Sequence, residues 1–275
     1  MDNNSPRPGI PHFNMAFDPF LKQSLKTKDF FPSNDHMEMI SRLNHLKKVN
    51  GLGVFTALPG LGKSFSLHCF KKSLNDNLHQ MHYICMSTVS VSEFYRQFCD
   101  ELKLPVRGGK AVMFKALQEY IFHLYKEKRC PLIIAIDEAQ YLHYSILKDL
   151  KMLMNHQYDS LNCFALILCG ESRLIRNLSA PINEALRQRI AVHYSFNGLD
   201  PDEVTRYIHH KISLAGGAKE IVGTDALQTV VGFCEGNPRI IDNLMSKALM
   251  LAVQLGKNII DSETIMAATH AQALI

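Results

Sequence analysis

One segment near the start of the chain constrains its fold more than any other. It follows an apolar run at residues 52–56 and precedes a helical pattern that starts at Phe65, so the order is strand, glycine-rich turn, helix. Glycines in such a turn let backbone N–H groups surround phosphate oxygens, and the helix N-terminus adds partial positive charge. The sequence therefore predicts a phosphate-binding loop made of Ala57, Leu58, Pro59, Gly60, Leu61, Gly62, Lys63 and Ser64.

Two side chains of this loop are of the types that handle a nucleoside triphosphate. Lys63 is placed to reach the β- and γ-phosphates, and the Ser64 hydroxyl is placed to coordinate Mg²⁺. Ala57 stands where the usual pattern has glycine, which is tolerable if φ stays negative. The competing interpretation is a Gly/Pro turn between a strand and a helix with no phosphate role.

The composition indicates an ordinary globular protein of about two domains. The 275 residues are 47% apolar, and 30 basic against 26 acidic residues leave a net charge of +4. That excess is too small to indicate nucleic-acid binding by itself, although it allows a local basic patch. The 7 cysteines form no ligand-spaced cluster and are expected to be reduced. Without a long apolar run or a signal-like N-terminus, we expect a soluble, cytoplasmic protein that does not enter a membrane.

The hydrophobic pattern predicts a three-layer α/β fold followed by a smaller helical domain. Apolar runs at residues 52–56, 82–86, 132–136, 164–169 and 191–196 alternate with helical patterns, as in a five-stranded parallel sheet. The helix before the phosphate loop is expected to have an apolar stripe of Met37, Ile40, Leu43 and Leu46. We expect a tail without fixed structure at residues 1–16, the α/β domain at 17–197 and the helical domain at 198–275.

An acidic pair follows the third apolar run, about 75 residues after the phosphate loop. Asp137 would hold Mg²⁺, and Glu138 is placed to orient and polarise an attacking water as a general base. Such a pair could also simply cap the next helix. Together with the phosphate loop it predicts nucleotide hydrolysis, whereas a small-molecule kinase would need further substrate-gripping residues and a set of lid arginines.

Four segments of the chain are distinctive in their order and spacing, namely residues 58–64, 137–140, 185–190 and 236–239. They resemble the motifs of AAA+ ATPases, and this resemblance implies ATP as the nucleotide. Within that family, the chain is most similar to the transposon-encoded ATPases that accompany a DDE transposase (the TnsC/TniB/MuB group), and it also resembles the cytoplasmic ATPase half of the secretion protein ExeA. The similarity extends from about residue 17 to the end of the sequence given.

The resemblance implies roles for three arginines. Arg189 would be the arginine finger that reaches the γ-phosphate in a neighbouring subunit, with Arg187 as the second candidate. Arg239, at the start of a helix, would be the second sensor, which couples the helical domain to the nucleotide. The alternatives are a surface arginine at a helix end for the finger and a helix-terminal salt bridge for Arg239.

The resemblance also indicates a first sensor and an adenine contact. The first sensor would be Glu171 or Ser172, after the fourth strand, although a carboxylate near a γ-phosphate is repulsive unless it is paired. Phe30, Phe31 and Met37 would lie where the adenine ring packs, whereas core packing is the alternative for these aromatic residues.

A DNA contact is expected after the second strand, in the segment that lines the inner surface of an AAA+ ring or filament. Lys103, Arg107 and Lys110 lie there beside a Gly-Gly turn and could bind backbone phosphates without reading sequence. The alternative is a solvated basic loop.

The resemblance as a whole implies an ATPase that oligomerises on double-stranded target DNA and recruits or activates a DDE transposase. A secretion or assembly ATPase of the ExeA type and a helicase-loading or replication-initiating ATPase are the alternatives within the family. A nucleotide or small-molecule kinase is the alternative outside it, and it would act as a monomer without dependence on Arg189.

Overall fold

The computed structural model describes residues 10–21, 29–85, 90–106, 108–156 and 161–270. The chain divides into two compact units, one of residues 36–196 and the other of residues 1–35 together with 197–275. We call them the sheet unit and the helical unit. Within the described residues, no helix combines the length and apolar character needed to cross a bilayer.

The sheet unit is built on five parallel strands, as the sequence predicts. They are β1 (Leu52–Thr56), β2 (Gln80–Cys85), β3 (Leu132–Asp137), β4 (Phe164–Gly170) and β5 (Ile190–Ser195). Their order across the sheet is β2-β3-β4-β1-β5. Because all strands run in the same direction, the loops that follow β1, β3 and β4 meet at one edge of the sheet.

Helices cover both faces of this sheet, which is why its central strands are almost wholly apolar. Along β3, Leu132, Ile134 and Ile136 belong to one hydrophobic cluster, and Ile133 and Ala135 belong to another. The helices are α1 (Asn34–Val49), α2 (Lys63–Ser73), α3 (Val91–Glu101), α4 (Lys110–Lys126), α5 (Tyr144–Leu153), α6 (Ser172–Ser179) and α7 (Glu184–Arg187).

The buried face of α1 differs by one residue from the expected stripe. Met39, Leu43 and Leu46 are buried, whereas Met37 is 51% exposed. A helix turns by about 100° per residue, so a stripe that includes Leu43 and Leu46 continues toward Met39 rather than Met37. The expectation that Met37 packs in this core is therefore wrong, whereas its contact with an adenine ring stays a prediction.

The helical unit contains α8 (Pro201–Leu214), α9 (Thr224–Cys234), α10 (Pro238–Leu255) and α11 (Ser262–His270). Local sequence signals set their ends. Asp200 and Glu203 form a complete capping box at the start of α8. Asn237 caps α10 through the N–H of Arg239, and Gly256 ends that helix in the left-handed conformation.

The N-terminal segment differs from the unstructured tail that the sequence suggests for residues 1–16. Phe13, Met15 and Phe20 are buried in the core of the helical unit, and the N–H of Ala16 donates to the carbonyl of Ala215 at 2.8 Å. Apolar side chains that bury this much surface offset the ordering entropy of a Pro-rich segment. Residues 1–9 of the expected tail lie outside the described residues, and the segment from residue 10 onward belongs to the helical unit.

Asp35 joins the start of α1 to the first residues of the C-terminal part of the helical unit. Its buried carboxylate accepts the N–H of Asn197 at 3.1 Å and that of Gly198 at 2.8 Å. The N–H of Leu199 then donates to the carbonyl of Gly236 at 2.8 Å. These charge-assisted and main-chain bonds fix the path of the chain where it leaves β5.

Candidate active site

The predicted phosphate loop lies between β1 and α2, at the edge where strands end. Gly60 and Gly62 both have φ of 94°, a conformation that favours glycine. A Cβ added to Gly62 would meet no atom within 4 Å, so open space faces the loop where a phosphate would lie. The φ of Ala57 is negative, so alanine can replace the usual glycine here without backbone strain. The N–H of Ala57 donates to the carbonyl of Gly170 at 3.1 Å.

Lys63 is the buried cation of this loop. Its Nζ donates to the carbonyl oxygen of Ala57 at 2.9 Å, and its exposed fraction is only 8%. Burial lowers the pKa of the Lys63 ammonium, while the negative charges of Asp137, Glu138 and Glu171 oppose that shift. A phosphate bound at the loop would therefore lie beside a positive charge that is poorly solvated.

Asp137 is the centre of a compact group of oxygen atoms. Its Oδ2 accepts hydrogen bonds from the Ser64 hydroxyl at 2.6 Å and from the Tyr83 hydroxyl at 2.7 Å. Burial and the contact with Asp137 raise the pKa of Tyr83, so this phenol stays protonated and remains a donor at neutral pH. The group suits Mg²⁺, which prefers oxygen ligands. Ser64 and Asp137 would hold the ion, which would neutralise charge on phosphate oxygens during transfer.

Glu138 has a left-handed backbone conformation at the end of β3, with φ of 56°. Its side chain is partly exposed, and its Oε2 accepts a hydrogen bond from Nε2 of Gln140 at 2.7 Å. The N–H of Glu138 donates to Oδ1 of Asp137 at 3.0 Å. A partly exposed carboxylate that is held by a hydrogen bond, beside a carboxylate that would hold Mg²⁺, can accept a proton from water.

The residues after β4 lie against this acidic group. Glu171 is the N-cap residue of α6, and its carboxylate is close enough to Lys63 to raise the pKa of that ammonium. This cation offsets the repulsion expected between Glu171 and a γ-phosphate. Ser172, the other candidate for the first sensor, is exposed in the first turn of α6.

The two candidate arginine fingers lie at the end of α7 and just before β5. Arg187 is exposed, and its guanidinium donates to the carbonyl of Ser179 at 3.5 Å. Arg189 is half-buried and makes contacts with its own chain. A side chain that inserts into a neighbouring copy must be accessible in the separate subunit, and Arg187 meets this condition better.

Phe31 and Arg239 belong to the helical unit. The Phe31 ring packs edge-on against Tyr207 at 5.7 Å between centroids, and the Arg206 guanidinium lies 5.7 Å from its centroid. Phe31 lines a pocket of about 370 Å³ together with Pro32, Arg206, His209, His210, Ser213 and Lys219. Arg239 is exposed in the first turn of α10.

The three residues expected to contact DNA are not equivalent. Lys103 is exposed just after α3, with a left-handed backbone. Lys110 at the start of α4 forms an ion pair with Asp149, so its charge is already partly neutralised within the chain. Arg107 lies outside the described residues.

The structure brings together residues that are far apart in sequence, including two with no role predicted from the motifs. Lys63, Ser64, Asp137 and Glu138 meet at the edge of the sheet, as expected. The sequence predicts Tyr83 only as part of a strand and Gln140 only as part of a motif segment, and it assigns neither a role. The alternation of β2 side chains could have indicated Tyr83, whereas no local signal identifies the partners of Gln140.

Comparison with known proteins agrees with this geometry. Residues 46–178 match the family model described as an AAA domain. General secretion pathway protein A of Aeromonas hydrophila is 27% identical over 250 residues, which cover 90% of this chain and 45% of that protein. The chain thus spans less than half the length of this relative.

Solved structures support the fold. Cdc6p of Pyrobaculum aerophilum has a TM-score of 0.63 at 17% identity, covering 90% of this chain and 71% of that one. ORC1 of Aeropyrum pernix, solved in complex with DNA, has a TM-score of 0.65 at 14% identity, and the match covers 92% of this chain and 68% of that one. The RuvB Holliday junction branch migration motor of Thermotoga maritima has a TM-score of 0.54 at 16% identity, and the match covers 92% of this chain and 73% of that one.

Proposed function

We propose that this protein, an ATPase with the α/β P-loop AAA+ fold, assembles on double-stranded DNA as an ATP-dependent homo-oligomer that recruits or activates a DDE transposase. The observation that carries the proposal is the division of the hydrolytic machinery. Lys63, Ser64, Asp137 and Glu138 form one group, whereas Arg187 is exposed at the end of α7. Such a site is completed when a second copy supplies the arginine.

In this scheme the residues of one subunit bind ATP and prepare its hydrolysis. Main-chain amides of the phosphate loop and Lys63 hold the phosphates, Ser64 and Asp137 hold Mg²⁺, and Glu138 takes a proton from the attacking water. Glu171 contributes beside Lys63 as the first sensor. The nucleotide state then sets the lifetime of the assembly, because hydrolysis removes the phosphate that joins two copies.

Phe31 and Arg239 would supply further nucleotide contacts. Phe31 would offer an aromatic ring to the adenine, and Arg239 would report on the bound nucleotide. Lys103, Arg107 and Lys110 would bind DNA phosphates. These contacts carry no sequence information, so the expected DNA binding is independent of sequence. We place this activity in the cytoplasm.

Two observations favour other functions for the same ATPase. The similarity to general secretion pathway protein A favours a secretion or assembly ATPase. The fold shared with Cdc6p and ORC1 favours a replication initiator or helicase loader. The transposase is proposed only from the resemblance of the sequence to transposon-encoded AAA+ ATPases.

The proposal is tested by trapping the assembly with Glu138→Gln. This variant is expected to bind ATP normally and to form large species with Mg²⁺ and duplex DNA that persist, whereas the native protein disassembles as ATP is consumed. Sedimentation and electron microscopy report the assembly, and Lys63→Ala is the control that should not assemble.

The outcomes of this experiment distinguish the proposed function from its alternatives. A chain that stays a single copy with ATP, Mg²⁺ and duplex overturns the proposed assembly. Assembly that needs ATP but is unaffected by duplex of any sequence instead supports the secretion alternative.

A further inference from the structure

Gln140 is a buried side chain with no role in the proposed function so far. It is 4% exposed. Its Nε2 donates to Oε2 of Glu138 at 2.7 Å, and its Oε1 accepts the main-chain N–H of Glu171 at 3.1 Å. Because a backbone N–H can only donate, the amide oxygen must face Glu171 and the amide nitrogen must face Glu138. The orientation of the Gln140 amide is therefore determined.

The backbone at the end of β4 leaves room for this amide. A Cβ added to Gly170 would overlap Oε1 of Gln140 more closely than real Cβ atoms approach anything, and it would also press on Leu174. Gly170 is not required by a left-handed φ, since its conformation is not of that kind. A side chain at this position would therefore displace the Gln140 amide from its place beside the N–H of Glu171.

The main chain of Gln140 is linked to the helix that carries Arg187. The carbonyl of Gln140 accepts a hydrogen bond from Nδ2 of Asn177 on α6 at 3.0 Å. The carbonyl of Asn177 accepts one from Nδ2 of Asn183 at 2.8 Å, and the buried Asn183 immediately precedes α7. A continuous set of side-chain hydrogen bonds thus connects Glu138 with the base of α7.

We propose that Gln140 is a positioning residue that fixes the Glu138 carboxylate for its work on the attacking water and ties that position to α7. The inference rests on the proposed role of Glu138 as the general base. Gln140 occupies one carboxylate oxygen and leaves the other for water. A partly exposed glutamate otherwise samples several rotamers, and a misplacement of about 1 Å can cost roughly 100-fold in rate.

Gln140→Met tests the role, because methionine keeps the length of the side chain and removes both hydrogen bonds. We expect kcat to fall by about 10- to 100-fold while KM for ATP and nucleotide binding stay within about twofold. Gln118→Met is the matched control, since the Gln118 amide donates to the carbonyl of Met152 at 3.5 Å, away from Glu138. Native turnover in Gln140→Met overturns the inference.

Gln140→Glu separates positioning from support of the backbone. At a pH where both carboxylates are ionised, the introduced carboxylate still accepts the N–H of Glu171 but repels the Glu138 carboxylate instead of donating to it. We expect at least the same loss of kcat as in Gln140→Met, together with a lower melting temperature because a second negative charge is buried beside Glu138. Native turnover in Gln140→Glu would mean that Gln140 only holds Glu171 in place.

A double-mutant cycle shows whether Gln140 acts through Glu138. In a Glu138→Gln background, Gln140→Met is expected to change the residual turnover by less than about twofold. A further tenfold loss of turnover in the Glu138→Gln background would mean that Gln140 acts independently of Glu138. If Glu138→Gln retains turnover, the proposed role of Glu138 fails, whereas normal Gln140 variants beside an inactive Glu138→Gln refute only this inference.

Discussion

At the level of single residues, hydrogen bonds hold the polar side chains of the phosphate loop and of Asp137 in place. Ser64 and Tyr83 both donate to Asp137, and Lys63 donates to the carbonyl of Ala57. A bound nucleotide must exchange these bonds for bonds to phosphate and metal. Because the exchanged bonds are charge-assisted, the exchange favours a highly charged triphosphate over a neutral ligand.

The arginine finger is a prediction at the scale of one residue. Because Arg187 is exposed and Arg189 is half-buried, we expect Arg187→Ala to reduce ATP turnover by about 10³-fold or more, and Arg189→Ala to have a smaller effect. ATP binding should be unchanged in both variants. Arg173→Ala, an exposed arginine on α6, serves as the control.

A mixing experiment then shows that the arginine acts in trans. Arg187→Ala and Lys63→Ala are each inactive alone, but a mixed oligomer contains interfaces with an intact loop and an intact arginine. Turnover should therefore return in part on mixing. No recovery on mixing would argue against Arg187 as the finger, and recovery with Arg189→Ala in its place would transfer the role to Arg189.

At the level of elements, the N-terminal segment is part of the helical unit rather than a tail of the sheet unit. Phe13 and Met15 come from a short 3-10 helix and the residues after it, and they complete the core made by α8, α9, α10 and α11. Asp35 and Asn197 meet where the chain passes between this unit and the strands. Elements distant in sequence thus form one folding unit.

Removing a side chain from this segment should destabilise the helical unit. Phe13 is 5% exposed, so Phe13→Ala is expected to lower the free energy of unfolding by about 3 kcal/mol. Phe233 on α9 is 48% exposed, and Phe233→Ala should cost less than about 1 kcal/mol. Urea unfolding followed by circular dichroism measures both, and equal stabilities would mean that the segment does not contribute to the core in solution.

At the level of the whole molecule, the small net charge means that DNA binding would depend on a local patch. Among the described residues, Lys103 is exposed and forms no ion pair, whereas Lys110 is paired with Asp149. An exposed lysine can release counterions from DNA, while a paired lysine must first break its bond to a carboxylate. The two positions should therefore differ in their effect on binding.

Charge reversal tests this difference. Lys103→Glu is expected to weaken binding to duplexes of any sequence and to reduce the slope of log K against log salt by about 1. Lys110→Glu should have a smaller effect on DNA and should also lose the ion pair with Asp149. Lys48→Glu in the last turn of α1 is the control, and unchanged binding in Lys103→Glu would place the DNA elsewhere.

The sequence by itself determined the features that depend on neighbouring residues. The phosphate loop, the five parallel strands, the acidic pair at the end of β3 and the caps of α8 and α10 follow from local patterns, and the structure agrees with them. Glycine conformation, hydrophobic period and capping all act over a few residues, so they can be identified without knowing the fold.

Only the tertiary structure decided which distant side chains meet. The bond from Tyr83 to Asp137 joins residues 54 apart, and that from Glu171 to Gln140 joins residues 31 apart. These contacts depend on the order of the strands, and the partner of Lys110 likewise depends on how α4 and α5 pack. Hydrogen bonds and burial require positions in space, and the sequence fixes these only through the packing of the whole chain.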